Sequence, residues 1–452
     1  MPSKPRAAVI LAAGHGTRMK SALAKPLHPI AGRSMLDWSL ELAEKAGADR
    51  KVVVWGKHSP AIRDAAKAAG ASAALQDPPQ GTGHAVQQAQ DALEEFDGDV
   101  IVLYADTPLI RPETVEQVFD ALAGGASVAV LGFEPDDPGQ YGRLIETEKG
   151  DLDAIVEARE ASPEQLQVRL CNSGVLACES KVLFELLGAV KNDNAKGEYY
   201  LTDVVEIARG RGLTARAVRA DEAEVLGVNS RLDLSVAEAA WQTRRRREAM
   251  ADGVTLIAPE SVVFSHDTVI ENDVTIEPNV VFGPGVVVKS GATIRAFSHL
   301  EGAVVAGDCE VGPYARLRPG AVLETGAKVG NFVEVKKARL GEGAKANHLS
   351  YIGDGDVGAN ANIGAGTIFC NYDGYFKNKT IIGDGAFIGS NSALVAPVRI
   401  GAGAMTASGT VVTDDVPADS LALGRAKQVT KDGWAARFRK TMQAKKDRQK
   451  KD

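Results

Sequence analysis

The chain has 452 residues, 44% of them hydrophobic, with 52 Lys and Arg against 59 Asp and Glu and a formal charge of −7. That length holds two or three domains, each able to bury a core, and the acidic balance argues against nucleic acid as the main partner. The start, Met1–Arg6, lacks an apolar signal core, and no stretch reaches the ~20 apolar residues of a membrane span; Cys171, Cys178, Cys309 and Cys370 form no CxxC pair and read as small buried hydrophobes in a reducing cytosol, not as metal ligands or disulfides.

Residues 1–231 read as an α/β domain. Ala7–Leu11, Val52–Trp55, Val100–Tyr104 and Ser127–Leu131 are short apolar runs suited to strands buried on both faces, with helical stretches such as Met35–Ala46 and Gly83–Leu93 between them. Alternating β and α implies a mainly parallel sheet that binds ligands at the carboxyl ends of its strands. The run Leu11-Ala12-Ala13-Gly14-His15-Gly16-Thr17-Arg18 follows directly on the first strand, and Lys25 comes soon after. Gly14 and Gly16 let the backbone curl so that successive N–H groups face a polyphosphate. Arg18 and Lys25 add positive charge where a phosphoryl transition state gathers negative charge. Glycines at a β–α turn also serve steric needs alone, so this loop gains meaning from its neighbours. Gln76 and Gly81-Thr82-Gly83-His84 open another turn with donors suited to a base or a phosphate. Tyr104-Ala105-Asp106 ends a strand and sets a carboxylate at the sheet's edge, fit for a hard divalent cation or for capping the Thr107–Pro108 segment.

Leu232–Ala251 is polar and free of Gly and Pro, which predicts a helical linker over 232–252, its Arg244–Arg247 run being a solvated face. From 253 to about 424 the chain keeps a six-residue beat. Ile270, Ile276, Phe282, Val288, Ile294 and Leu300 fall six apart, and Val305, Val311, Leu317, Leu323, Val329 and Val335 continue after a slip of one. Ile382, Ile388, Leu394 and Ile400 resume after a longer interruption. A hexapeptide repeat marks a β-solenoid, each repeat giving one flat strand and a turn with the aliphatic residue inward. Gly283–Pro284–Gly285, Gly341–Glu342–Gly343 and Gly383–Asp384–Gly385 supply corners, where positive φ is needed. Polar clusters interrupt the repeat at Asn331–Lys337, Asn347–Tyr351, Asn360–Ala365 and Cys370–Lys377. Loops extruded from a rigid solenoid are natural places for function. Glu334 lies roughly one coil from His348, close enough for a carboxylate to orient the ring. A basic helix or frayed tail follows from Asp432, with 8 Lys or Arg in the last 16 residues.

The loop with Lys25 resembles that of the sugar-1-phosphate nucleotidyltransferases, G-x-G-T-R and then Pro-Lys, with Ala24 where the family usually has proline and His15 where Lys is common. Neither position should carry the chemistry. From Val9 to about Arg425 the chain is more closely similar to the bifunctional N-acetylglucosamine-1-phosphate uridylyltransferase/glucosamine-1-phosphate acetyltransferases of bacterial cell-envelope synthesis, Asn371-Tyr372-Asp373-Gly374 being the most distinctive string. That resemblance implies an N-terminal Rossmann-like nucleotidyltransferase domain over 1–231 and an acetyltransferase domain over 253–452, built on a left-handed parallel β-helix. It assigns UTP and its product to Leu11, Ala12, Ala13, Gly14, Lys25, Gln76, Gly81, Thr82, Tyr104, Ala105 and Asp106, the amino sugar to Gly142, Glu157 and Asn172, and Mg²⁺ to Asp106 and Asn229. The Glu198–Asp203 run would line the sugar pocket, and Arg18 and Lys25 would serve the phosphoryl transfer. In the solenoid, His348 would be the general base, with Glu334 beside it; Arg318, Lys336, Tyr351, Asn362 and Lys377 would bind glucosamine 1-phosphate. Ala365, Asn371, Tyr372, Ser390, Ser408 and Arg425 would bind acetyl-CoA, Ser408 standing where the family commonly has alanine. A cytoplasmic homotrimer, with acetyl-transfer sites between neighbouring solenoids, completes what the likeness implies. A single-activity nucleotidyltransferase with a structural or regulatory solenoid would need neither His348 nor the Asn-Tyr-Asp-Gly string. A non-catalytic regulatory subunit would have lost Lys25, Asp106 or Asn229.

Overall fold

The computed structural model describes residues 4–194 and 196–449, so Met1–Ser3, Ala195 and the last three residues of the expected basic tail lie outside the described residues. The chain divides into two compact units, Met1–Ala249 with Phe264–Asp267, and Met250–Val263 with Thr268–Asp452.

In the first unit a seven-strand path runs Ala215–Ala220, Val128–Phe133, Cys171–Glu179, Asp99–Tyr104, Arg6–Leu11, Ala48–Gly56, Ser72–Gln76. Every neighbouring pair is parallel except the two made by Cys171–Glu179. Side chains alternate across this sheet. Ala7 and Val9 join a core with the helices Ser180–Leu187 and Asp203–Gly210; Ala8 and Ile10 join another with Met35–Lys45, Pro60–Ala68 and Pro112–Ala123. The result is a sheet between two helix layers, which leaves its carboxyl edge free for ligands. The helix expected over Gly83–Leu93 is shorter. It spans Thr82–Gln87, then tightens through bonds from Gln88, Ala89 and Gln90 to carbonyls three residues back, and a separate turn at Asp91–Leu93 buries Leu93. The linker segment is helical over Arg231–Ala251.

The second unit is a prism. Three parallel sheets of 10, 8 and 8 short strands form its sides, each strand paired with its counterpart one coil away, as a left-handed hexapeptide helix requires. Of the hexad residues, all are buried except Ile270, half-covered in the first coil, where no coil precedes it on that side. The apparent interruption after Val335 is a correction to the sequence reading: Leu340, Ala346, Ile352, Val357, Ile363 and Phe369 continue the buried column through two five-residue steps. After Cys370, which still pairs with Val395, residues 371–379 leave the wall.

The glycine corners also need amending. Gly285, Gly343 and Gly385 have φ of 74°, 65° and 63°, whereas Gly283, Gly341 and Gly383 are absent from the left-handed region. The first glycine answers crowding instead: a Cβ on Gly341 would come within 2.8 Å of Ala359 N. Phe297, Tyr314, Phe332 and Leu349 also adopt positive φ, one per coil, and the three rings stack with centroids 4.9 and 5.2 Å apart. Bulky residues rarely accept that conformation. The result is an exposed apolar ridge. Beyond the prism, the helix Trp434–Gln449 buries none of its residues. Cys171, Cys178 and Cys309 are buried free thiols, while Cys370 is half-exposed.

Candidate active sites

At the carboxyl edge of the first unit's sheet lies a cleft of about 300 Å³. Its walls hold Leu11–Gly14, Lys25, Gln76, Gly81, Thr82 and Tyr104–Asp106, which are 11 of the residues expected there. Two glycines shape it. Gly16 has φ of 60°, and a Cβ there would come within 2.7 Å of Lys25 Cβ, so only glycine lets the loop lie against Lys25. Gly81 has φ of 107° and faces the backbone of Tyr199 in the same way. Gly14 meets neither constraint, for nothing lies within 4 Å of its Cβ position.

Lys25 Nζ is 2.5 Å from Asp106 Oδ2 and 3.2 Å from Asn229 Oδ1, so the two oxygens expected to hold a metal converge on one cation. Asn229 is set by its backbone: Val228 N–H donates to the Asp106 carbonyl (2.8 Å), and Asn229 and Ser230 N–H groups donate to Asp233 Oδ2 (3.0 and 2.9 Å) at the start of the linker helix. Gln76 Nε2 donates to Gly81 O at 3.0 Å and faces His84 Nδ1 at 3.1 Å, bracing the second turn. Burial holds the His84 imidazole below its ordinary pKa. Leu201 N–H donates to Thr82 Oγ1 (3.0 Å) and Gly83 N–H to Tyr199 O (2.8 Å), which docks the Glu198–Asp203 run onto that turn.

The expected sugar residues form a neighbouring patch. Asn172 N–H donates to Gly142 O (2.8 Å), and Asn172 lines a small recess that also touches Tyr104. Burial, and then the Asp106 charge, raise the Tyr104 phenol well above its usual range. Burial likewise raises Glu157. Asp203 is pushed up to about 6 by burial and then by the charges of Glu206, Glu160, Asp193 and Glu157. Arg18 stands exposed on the turn Thr17–Met19 and does not line the cleft. Sequence reasoning passed over His15, Pro26, Pro79 and Ala85, which do line it, and set His15 aside as bearing no chemistry.

On the prism, register gathers the second set. Asn331 lies one coil below His348 and Glu334 one coil below Tyr351. The ring of His348 is therefore not oriented by Glu334, as its spacing suggested. Asn331 Oδ1 faces Nδ1 at 2.7 Å, and Glu334 instead pairs with Arg318 Nη1 at 2.8 Å. Gly330 makes this coil step possible, because a Cβ there would run into the Asn347 carbonyl. Arg318, Lys336 and Lys377 cluster: the neighbouring Lys377 first, and then Arg318, hold the Lys336 ammonium below the usual lysine range. The Tyr351 hydroxyl packs over Gly353 beside Asn371, whose Nδ2 donates to Asp354 Oδ2 at 2.5 Å. Asn362 lies next to Lys345 in register, on the same sheet as His348.

The extruded 371–379 segment folds as a tight hairpin. Asn378 N–H donates to Asn371 O (2.7 Å), Asp373 Oδ1 accepts from Tyr375 and Phe376 N–H (2.8 and 2.7 Å), and Tyr372 stands exposed. Ala365, Ser390 and Ser408 follow one another along a column: Asn391 N–H donates to Ala365 O (2.7 Å), Gly409 N–H to Ser390 O (2.8 Å) and Arg425 Nη1 to Ser408 O (2.6 Å). The Ser408 contact is made by its backbone, which an alanine would share. Among the described residues no three His, Cys, Asp or Glu side chains cluster as a metal site, and no helix is long and apolar enough to cross a membrane.

Residues 8–193 match the family described as MobA-like NTP transferase domain, and residues 267–302 and 379–414 match bacterial transferase hexapeptide (six repeats). Over nearly its whole length the chain is similar to proteins named bifunctional protein GlmU. It is 65% identical over 446 residues to that of Maricaulis maris (strain MCS10), covering 99% of both chains. It is 58% identical over 451 residues to that of Caulobacter vibrioides (99% of this chain, 98% of the other), and 55% over 446 residues to that of Sphingopyxis alaskensis (98% of each).

Proposed function

The chain belongs to the GlmU family of bifunctional proteins, and from that premise we propose how its two halves divide the work. It is a two-activity transferase: acetyl passes from acetyl-CoA to glucosamine 1-phosphate, and a uridylyl group passes from UTP to the N-acetylated product, giving UDP-N-acetylglucosamine and pyrophosphate. We assign uridylyl transfer to 1–231, a linker to 232–252 and acetyl transfer to 253–452.

The observation that carries the first assignment is the convergence of Asp106 and Asn229 on the Lys25 ammonium inside the cleft. Two hard oxygen donors are what the protein normally offers Mg²⁺, substrate phosphates and water completing the shell; Asp106 and Asn229 would hold it. When bound, Mg²⁺ supplies charge neutralisation at the phosphates. Leu11–Gly14, Gln76, Gly81 and Thr82 hold the uridine and its phosphates, Tyr104 and Ala105 wall the cleft, and Gly142, Glu157 and Asn172 grip the amino sugar. A phosphate oxygen of the sugar then attacks the α-phosphorus as the bond to pyrophosphate breaks. Lys25 offsets the accumulating charge, with Arg18 acting from outside the cleft. No protein nucleophile is required; positioning and electrostatics supply the rate.

On the prism, Asn331 keeps the proton on Nδ1 of His348, leaving Nε2 as the acceptor. Nε2 takes a proton from the 2-ammonium of glucosamine 1-phosphate, the freed amine attacks the thioester carbonyl, and the carbon–sulfur bond breaks to release the thiol. Arg318, Lys336 and Lys377 bind the sugar phosphate, with Tyr351 and Asn362 completing that pocket. Glu334 serves the phosphate site by holding Arg318. Ala365, Asn371, Tyr372, Ser390, Ser408 and Arg425 contact acetyl-CoA. A cytoplasmic homotrimer is the assembly we infer, supported by the hexapeptide repeats and by the exposed Phe297–Tyr314–Phe332–Leu349 ridge.

The test supplies glucosamine 1-phosphate, acetyl-CoA, UTP and Mg²⁺, and follows free thiol and pyrophosphate separately. Asp106→Ala should lose pyrophosphate release and keep thiol release. His348→Ala should slow thiol release by roughly 10²–10⁴-fold, while pyrophosphate release from supplied N-acetylglucosamine 1-phosphate stays. Thiol release at the wild-type rate from His348→Ala would remove the base assignment.

A further inference from the structure

His15 stands at the apex of the phosphate loop, between Gly14 and Gly16, and lines the same cleft as Lys25. Neither of its ring nitrogens has a protein partner among the described residues. Its ring nevertheless has a fixed neighbour: it stacks on His58 with centroids 4.1 Å apart and planes 24° from parallel. His58 is fixed in turn. Its Nε2 lies 3.4 Å from the Gly14 carbonyl oxygen, and its ring folds back over Gly56, where a Cβ would come within 2.5 Å of Cε1 and 3.0 Å of the Ala13 oxygen. Gly56 ends the strand Ala48–Gly56, so sheet edge, His58 and loop form one assembly.

The charged side chains lining the cleft are Lys25, Asp106 and Glu198. Lys25 is committed to Asp106 and Asn229, Lys57 beside His58 is paired with Asp77 at 3.1 Å, and Arg18 lies outside the cleft. His15 differs from Lys25 and Gln76 in the same lining in that its ring nitrogens have no protein partner among the described residues and stand ready to meet a phosphate. With the base assigned to Gln76, Gly81 and Thr82, and the reacting phosphorus to Lys25 and Asp106, the loop apex remains for the terminal phosphates.

We propose that His15 is a further polyphosphate-binding side chain, gripping the part of the nucleoside triphosphate that leaves as pyrophosphate, and that His58 positions it through the ring stack. This rests on the uridylyltransferase reading above. Imidazole suits the task because it donates one N–H when neutral and two when charged.

The experiment titrates inorganic pyrophosphate into the full-length protein by calorimetry, beside steady-state kinetics. His15→Ala and His15→Phe should each weaken pyrophosphate binding roughly tenfold, about 1.4 kcal/mol, and raise KM for UTP. KM for N-acetylglucosamine 1-phosphate and the thiol-release rate should hold. His58→Ala should lose part of the affinity, and His58→Phe, which keeps a ring to stack on, should restore it. Unchanged pyrophosphate affinity in both His15 variants overturns the proposal, and equal weakening by His58→Ala and His58→Phe overturns the stacking part. A wild-type protein that binds pyrophosphate through His15 yet releases none from UTP would instead refute the uridylyltransferase reading and leave the binding assignment standing.

Discussion

A neutral imidazole has one donor and one acceptor nitrogen, and Asn331 Oδ1, 2.7 Å from Nδ1 of His348, decides which is which. Removing such an outer partner commonly costs ten- to a hundredfold. Asn331→Ala should therefore lower kcat for thiol release by about 10-fold or more with pyrophosphate release unchanged. Glu334→Gln should act differently, raising KM for glucosamine 1-phosphate, because Glu334 holds Arg318 and not the ring. A pure kcat effect in Glu334→Gln would reverse these two roles. Asp203 offers a stability test. Its folded pKa of about 6 exceeds the ordinary 3.8, so the folded state binds the proton more tightly than the unfolded chain does. The ionised form therefore costs stability above that range, and the cost fades as pH falls from 6 towards 3.8. Asp203→Asn should melt higher than wild type by ~2 °C at pH 7 and match it near pH 4. A lower melting temperature at pH 7 would mean that the lost charge at the start of the Asp203–Gly210 helix outweighs the relief.

Element by element, legibility followed how loudly packing writes itself into side-chain type. Strands buried on both faces, such as Arg6–Leu11 and Asp99–Tyr104, are runs of aliphatic residues and can be read directly. The edge strand Ser72–Gln76 has three small residues, Leu75 and a polar Gln76, and Cys171–Glu179 has polar residues near its start and pairs antiparallel, so neither announces itself. The hexad column seemed to stop after Val335 because the next wall positions are reached by five-residue steps and one is alanine, Ala346, which satisfies the prism without looking hydrophobic. One coil there is 17 residues, which puts Asn331 beneath His348; Glu334, 14 residues before His348, lies on a different wall of the prism, beneath Tyr351. Motif strings gave the cleft residues, but stacking between distant residues such as His15 and His58 leaves no local trace. The hairpin at 371–378 hangs on Asp373, whose carboxylate is held below its usual range by the Phe376 and Tyr375 N–H groups. Asp373→Ala should raise KM for acetyl-CoA several-fold while leaving the melting temperature within ~1 °C, because the hairpin is exposed and contributes little to the wall. A large loss of stability would show that it braces the prism.

The molecule as a whole concentrates its charge. The last 16 residues carry 8 Lys or Arg in a chain whose total is −7, and the helix Trp434–Gln449 lies open, with Trp434 stacked on Phe438 at 5.1 Å. The two compact units bury separate cores, which is why a lesion in one reaction centre should leave the other intact. In the prism each interior strand is secured by partners one turn away on either side, whereas the C-terminal strand Leu421–Ala422, which among the described residues pairs with Met405–Thr406 alone, is an unfinished edge. Warming should unravel the column from that end. Ser408 and Arg425 sit there, while His348 lies several turns deeper. Amide exchange should thus run fastest beyond residue 405 and slowest around the imidazole, and an ageing preparation should lose its hold on the acyl carrier before it loses the ability to deprotonate an amine.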